Sequence, residues 1–258
     1  MNDLAKAGAG TEAGNAAPQA AETSERHAQA APLFYRRPEL LNAAIHGAWR
    51  IRPAGVDFAA GANSVPVMAG EFAAAARHYP LVFAGAERMP VAVLGLERSN
   101  RFVKDGAWQA GAYVPAYVRR YPFVFAQMNE GDYALAIDAE SAMVVKDGSE
   151  GAPLFEDGKP AAITQQALQF CDAFTRESAA TQAFVGALEQ NGLLLERTAS
   201  IASPQGGRTT LTGFSVVSAE AFEKLPEQVV VEWHRKGWLA LVNAHLLSLA
   251  GFADLLPD

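Results

Sequence analysis

The sequence predicts an α+β fold: a mixed or antiparallel sheet built partly from a duplicated helix-strand-strand-turn unit, with helices mainly in the C-terminal half. Three observations carry this expectation. Short apolar runs closed by Pro or by Asp-Gly crowd between residues 80 and 160. Segments of helical apolar periodicity dominate after residue 161. The regular strand-helix alternation of a parallel βαβ sheet is missing.

The elements follow in order. Residues 1–31 are rich in Ala and Gly and nearly free of large apolar side chains, so ordering them would cost more than burial returns; a disordered tail is expected. Residues 32–258 form one domain, with structure starting near Leu33-Phe34-Tyr35. Leu40 to Trp49 reads as a short helix or extended arm. Glu71 to His78 is a helix stopped by Tyr79-Pro80, because proline lacks the amide hydrogen and disfavours helix at the residue before it. Leu81 to Ala84 and Pro90 to Leu96 are buried strands. Phe102-Val103 and Ala107-Trp108 flank Asp105-Gly106, a pair that supplies the positive φ angles of a tight hairpin. Asp157-Gly158 makes a further turn after Pro153-Leu154-Phe155.

Residues 161–177 place Ile163, Ala167, Phe170, Cys171 and Phe174 on one helical face, and a second helix runs from about Ala179 to Gln190, closed by Asn191-Gly192. Leu193 to Ile201 and Thr209 to Val217 form a hairpin around Pro204-Gln205-Gly206-Gly207. Ser218 caps a short helix ending at Leu225. Two more helices, Pro226 to Lys236 and Trp238 to Leu249, are broken at Gly237. The apolar stretch Trp238 to Phe252 is shorter than the roughly 20 residues a membrane span needs, so a buried helix is expected and no membrane insertion.

A repeat stands out. Arg77-His78-Tyr79-Pro80-Leu81-Val82-Phe83-Ala84 is echoed 42 residues on by Arg119-Arg120-Tyr121-Pro122-Phe123-Val124-Phe125-Ala126, and Lys104-Asp105-Gly106 by Lys146-Asp147-Gly148. Residues 77–106 and 119–148 agree at 12 of 30 positions, against roughly two or three expected by chance. Two copies are too few for a solenoid. They read as a duplicated unit forming one continuous sheet, with convergence on common strand-and-turn chemistry as the other explanation.

Composition narrows function by exclusion. A net charge of −7 disfavours broad electrostatic binding to nucleic acid or anionic membranes. Cys171 is the only cysteine, so a chain cannot close a disulfide on itself or build a thiolate metal cluster; its place on an apolar helix face marks a core thiol. No phosphate-binding loop, dinucleotide fingerprint, HExxH pair or GxSxG elbow occurs, and the five histidines lack metal-ligand spacing. No catalytic residues, metal site or cofactor are therefore assigned. Lys6 is present near the start, but the apolar run of a secretory signal does not follow it, which makes a cytoplasmic location the expectation, with the cell surface by a leaderless route as the alternative.

Tyr113-Val114-Pro115-Ala116-Tyr117-Val118-Arg119-Arg120-Tyr121-Pro122 packs three tyrosines and two arginines into ten positions. Guanidinium forks suit carboxylates and phosphates, and phenol rings add amphipathic contact area. With Trp108, these residues are candidates for a site taking an anionic or carbohydrate-like ligand; the alternative pairs Arg119 and Arg120 with surface acids and sets the tyrosines over the core. His245 falls on an apolar helix face between Leu241 and Leu249 and is either a satisfied core histidine or a base needing a carboxylate. Glu71 reads as a first-turn helix acid.

The strings Tyr79-Pro80-Leu81-Val82-Phe83, Leu94-Gly95-Leu96, Tyr113 through Phe123, Gly151-Ala152-Pro153-Leu154-Phe155 and Ala244 through Leu249 resemble the SapC family of bacterial proteins, over roughly residues 45 to 256. The resemblance implies a link to bacterial surface layers, or to nutrient uptake beside outer-membrane receptors, and brings no catalytic residue set. The functional expectation is a non-catalytic binding or accessory protein of a surface-layer or uptake system, whose partner is a protein or a small anionic or carbohydrate ligand. The alternatives are an enzyme acting on a small anionic or glycan-derived substrate, with His245 or a repeat tyrosine as acid/base, and a structural surface-layer subunit. Oligomeric state is not legible.

Overall fold

The structure, a computed structural model, describes residues 32–96, 98–129, 131–202 and 208–255. The expected tail and the Pro204–Gly207 turn lie outside the described residues. The chain begins with strand β1 (Pro38–Leu40), helical turn α1 (Ala43–His46), and strands β2 (Arg50–Ile51) and β3 (Ser64–Pro66). A 3-10 turn, Ala69–Glu71, leads into α2 (Phe72–Ala75); the Glu71 carboxylate folds back to accept the Met68 N–H at 2.9 Å, as a capping acid does. Pro80 ends the helical stretch, and β4 (Leu81–Ala84) and β5 (Met89–Val93) follow. Then come β6 (Val103–Lys104), β7 (Ala107–Trp108), α3 (Ala116–Arg120), β8 (Phe123–Asn129), β9 (Asp132–Asp138) and β10 (Val144–Val145). Strands β11 (Ala152–Pro153), β12 (Phe155–Glu156) and β13 (Lys159–Pro160) precede the long helix α4 (Ala162–Gln190). Strands β14 (Leu194–Ala202) and β15 (Arg208–Val217) and helices α5 (Ala219–Glu223), α6 (Glu227–Lys236) and α7 (Trp238–Ser248) complete the order.

The fold is α+β with antiparallel pairing, and most of its helix lies in the C-terminal half, as expected. Turn chemistry explains several joints. Asp105 and Gly106 have φ of 52° and 73°, and Asp157 and Gly158 of 50° and 73°, the paired positive angles of a two-residue hairpin. Gly237, at φ 73°, closes α6 and starts α7. Ser218 accepts the Ala221 N–H at 3.2 Å and caps α5.

Five strands form the larger sheet in the order β14-β15-β4-β5-β3, and a second sheet runs β1-β9-β8. The two copies of the repeated unit therefore build separate sheets and not one continuous sheet. The edges explain it: β4 is paired on both sides, by β5 and β15, whereas β9 takes β1 as its second partner and leaves β8 at an edge. Register differs too. Leu81 faces Ala92, but Phe123 faces Ile137, three positions beyond the Ala134 that equivalence would give. An odd shift swaps the faces of a strand. Asp147-Gly148 makes no tight hairpin either; β10 and β11 pair with opposite sides of β2.

The main core lies between the five-stranded sheet and the helices, around Phe72, Phe83, Phe184, Leu188, Trp233 and Val242. A second cluster, with Phe123, Ile137, Leu154, Ala167 and Cys171, joins the β8–β9 hairpin to the first half of α4. Where two helices were expected over residues 161–190, α4 runs unbroken for 29 residues. Asn191 caps it, Gly192 follows at φ 63°, and the Leu193 N–H returns to the Leu188 carbonyl at 2.9 Å. The Trp238–Leu255 stretch has a mean hydropathy of 1.4 over 18 residues and is long and apolar enough to cross a membrane by length and composition. Only 22% of it is buried, through Val242, His245, Ser248 and Leu255, while Leu247 is 78% exposed; the expectation of a buried helix holds for one face alone.

Candidate binding cleft

The segment from Tyr113 to Phe123 is pinned from several sides. The Tyr117 hydroxyl donates to the Leu33 carbonyl at 3.3 Å, and the Tyr121 hydroxyl donates to Asp138 Oδ2 at 2.9 Å while its ring stacks on Phe58 at 4.0 Å. Asp138 is fully buried and also accepts the backbone N–H groups of Arg36, Arg37 and Glu140. Burial alone would raise its carboxyl, but those N–H donors and the phenol reverse the direction and hold it below the ordinary carboxylate value. The phenols of Tyr113, Tyr117 and Tyr121 are all raised, chiefly by burial, with Tyr121 pushed up to about 12.

Trp108 and Tyr113 belong to a hydrogen-bonded chain beside the main core. Trp108 Nε1–H donates to the Tyr79 hydroxyl at 3.0 Å, and that hydroxyl donates to the Tyr113 carbonyl. Glu71 Oε1 accepts from the Tyr113 hydroxyl at 2.8 Å and from the Ala116 N–H at 2.6 Å. The helix acid thus reaches across to fix the start of α3, a tertiary role that its place in the sequence does not reveal.

Arg119, Arg120 and Tyr121 share the wall of a cavity of about 510 Å³. Its other sides are the α4 face from Ile163 to Cys171, the β2–β11 region, and Phe123 with Met143. Both arginines lie in the last turn of α3, where cations complement the helix dipole. Arg119 Nε donates to the Val114 carbonyl at 3.0 Å and Nη2 to the Tyr113 hydroxyl at 3.3 Å, with the guanidinium 5.3 Å from the Phe170 ring centroid. The Arg120 guanidinium lies 4.3 Å from Phe174 and 4.7 Å from Tyr117, and its Nε is buried without an acceptor. Among the described residues, neither arginine enters an ion pair. Arg119 and Phe170 also border a second cavity of about 330 Å³ that includes Glu71 and Tyr113. What this arrangement offers chemically is an apolar chamber lined by two arginines that no carboxylate neutralises among the described residues.

The remaining candidates lie elsewhere or inward. His245 has no exposed surface: its Nε2 accepts the Val217 N–H at 3.0 Å, its ring packs 5.1 Å from Phe83, and burial pulls its pKa down to about 4. It is a core histidine, and the structure does not bring it to the 113–121 segment. Cys171 lines the cavity, but burial pushes its thiol up to about 11, which removes thiolate character. Among the described residues, no three His, Cys, Asp or Glu side chains gather as a metal site. Sequence reasoning missed Phe170, Phe174, Ile163 and Met143 as site residues; the first three were legible as one helix face, but not that this face meets α3.

Fold and cleft together define an α+β protein with an apolar, arginine-bearing chamber. The SapC family model matches residues 41–255, and the chain belongs to that family. No curated protein and no solved structure matches it.

Proposed function

We propose that this SapC-family protein is a non-catalytic binding or accessory component of a bacterial cell-surface or nutrient-uptake system, and that it works by capturing an anionic group at Arg119 and Arg120. One observation carries the reading: two adjacent arginines that enter no ion pair among the described residues, both lining a 510 Å³ cavity. Two adjacent guanidiniums with no carboxylate partner favour an oxyanion at that wall through charge-assisted hydrogen bonding. The volume falls within the roughly 300–1,000 Å³ of small-molecule sites. The acid/base groups an enzyme reading relies on are poorly suited: His245 is sealed in the core, and the phenols are raised well away from neutral pH.

The test is affinity purification of the tagged protein from the cells that make it. Envelope proteins of a surface-layer or uptake system should co-purify with the wild type and be lost with Arg119→Ala/Arg120→Ala, while the variant keeps its circular dichroism spectrum and melting temperature. Undiminished capture by the folded double variant, or capture confined to soluble metabolic enzymes, overturns the reading.

A further inference from the structure

We infer that the cleft takes a single-chain amphiphile, a carboxylate head on an unbranched hydrocarbon tail, with the head at Arg119 and Arg120 and the tail laid along α4. This rests on the anion-capture reading above and adds what the anion is attached to.

The wall argues for the tail. Helix α4 presents Ile163, Ala167 and Phe170 to the cavity on successive turns, and Phe123 and Met143 also line it. At 1.5 Å per residue, the apolar stretch from Ile163 to Phe170 is about 10 Å long. Its cationic end is marked by the Arg119 guanidinium, 5.3 Å from the Phe170 ring. A glycan would need hydrogen-bond partners spread along that length, because each buried hydroxyl without one is costly. The wall does not provide them. Tyr121 commits its hydroxyl proton to Asp138 and Arg52 pairs with Glu150 at 3.3 Å, so beyond the arginine pair the polar side chains of the wall are few: Arg52, Tyr121, Gln166 and the Cys171 thiol.

The cations argue for the head. The chain as a whole carries −7, so attraction for an anion must be local, and the two adjacent guanidiniums on α3 supply it. Arg119 is exposed and lines the cavity, so its guanidinium can meet a carboxylate oxygen directly, with Arg120 beside it adding positive charge. A charged head and an apolar tail in one molecule match the two ends of the chamber.

The experiment is isothermal titration of the full chain near neutral pH, below any micelle-forming concentration, with decanoate, decanol, acetate and a hexose phosphate. Decanoate should bind saturably at one site, with the other three about tenfold or more weaker. Arg119→Gln/Arg120→Gln should weaken decanoate by about tenfold or more, and so should Ile163→Glu, which sets a carboxylate in the apolar wall. Should Ile163→Glu fail to fold, Ala167→Leu, which fills the chamber without charge, replaces it. Decanol binding as tightly as decanoate, or decanoate binding all variants equally, overturns the inference. Acetate or the hexose phosphate binding as tightly as decanoate, and depending on the arginines, overturns the tail while the anion-capture reading survives. Absence of binding by every anion defeats both.

Discussion

The backbone N–H of Val217 donates to Nε2 of His245, and that bond places the proton of the neutral ring on Nδ1. Protonating the ring would destroy the bond and put a charge where no water reaches. The folded protein accordingly holds His245 at a pKa of about 4, whereas an unfolded chain titrates near 6.5. Below pH 6.5 the unfolded state binds a proton that the folded state refuses, so stability falls as pH drops from about 6.5 toward 4 and levels off beneath. Asp138, whose carboxyl is lowered, acts in a different window: its contribution is present above the usual carboxylate pKa and is lost only in stronger acid. Urea unfolding should therefore show the wild type losing about 2 kcal/mol between pH 7 and pH 5 beyond any loss in His245→Gln. Parallel pH profiles for the two proteins would show that His245 is not the group responsible. The helix face alone marked this histidine as a satisfied core residue or a base; the structure buries it, satisfies Nε2 from a strand 28 residues away and leaves Nδ1 without a hydrogen-bond partner.

A helix can be longer than its apolar stripe. Ile163, Ala167, Phe170, Cys171 and Phe174 made a legible face, but Arg176-Glu177-Ser178 interrupts it, and polar interruptions read as helix ends. In α4 the interruption has tertiary work. Thr181 Oγ1 donates to the Glu177 carbonyl at 2.7 Å and accepts the Ala69 N–H at 2.9 Å, so the polar turn docks the 3-10 turn that carries Glu71. Gly70 lies close to this turn as well: a Cβ there would lie 2.8 Å from a Glu177 carboxylate oxygen, so the flexible Glu side chain would have to yield. Local signals, such as the Asp-Gly hairpins, the Gly237 break and the Ser218 cap, were legible because they depend on one or two residues. The continuity of α4 was not, because it depends on a partner more than 100 positions away. Thr181→Val should cost about 1–3 kcal/mol, since it strands a buried N–H, whereas Thr175→Val, which loses only a bond back to the Cys171 carbonyl, should change stability by less than about 0.5 kcal/mol. Denaturant midpoints at unchanged slope make the comparison. Equal losses would mean that helix propensity, and not docking, sets the effect.

Across the whole molecule, two copies of similar sequence have met different neighbours. The first begins β4, a strand paired on both edges, and its Leu81 N–H donates to Ser248 Oγ of α7 at 2.9 Å. Just beyond α7, a Cβ at Gly251 would touch Pro80 at 3.5 Å. The second begins β8, an edge strand facing the chamber beneath α4. Arg120 stands where the first copy has His78. Repetition was visible in the sequence; the choice of partners, which sets the 510 Å³ cavity at the second copy's Tyr-Pro junction, was not, because it depends on β15, α4 and α7 arriving from the C-terminal half. If cavity and cation are both required, moving the cation alone transfers nothing. Decanoate at about a hundredfold over its dissociation constant should stabilise the wild type by about 2.7 kcal/mol. Arg120→His should cut that stabilisation to about half or less, and adding His78→Arg should not restore it, because the first copy's Tyr-Pro junction is packed by Ser248 and Gly251 at the end of α7. Restoration by the second substitution would mean that a cation beside any Tyr-Pro junction suffices, and that the chamber under α4 plays no part in selecting what binds.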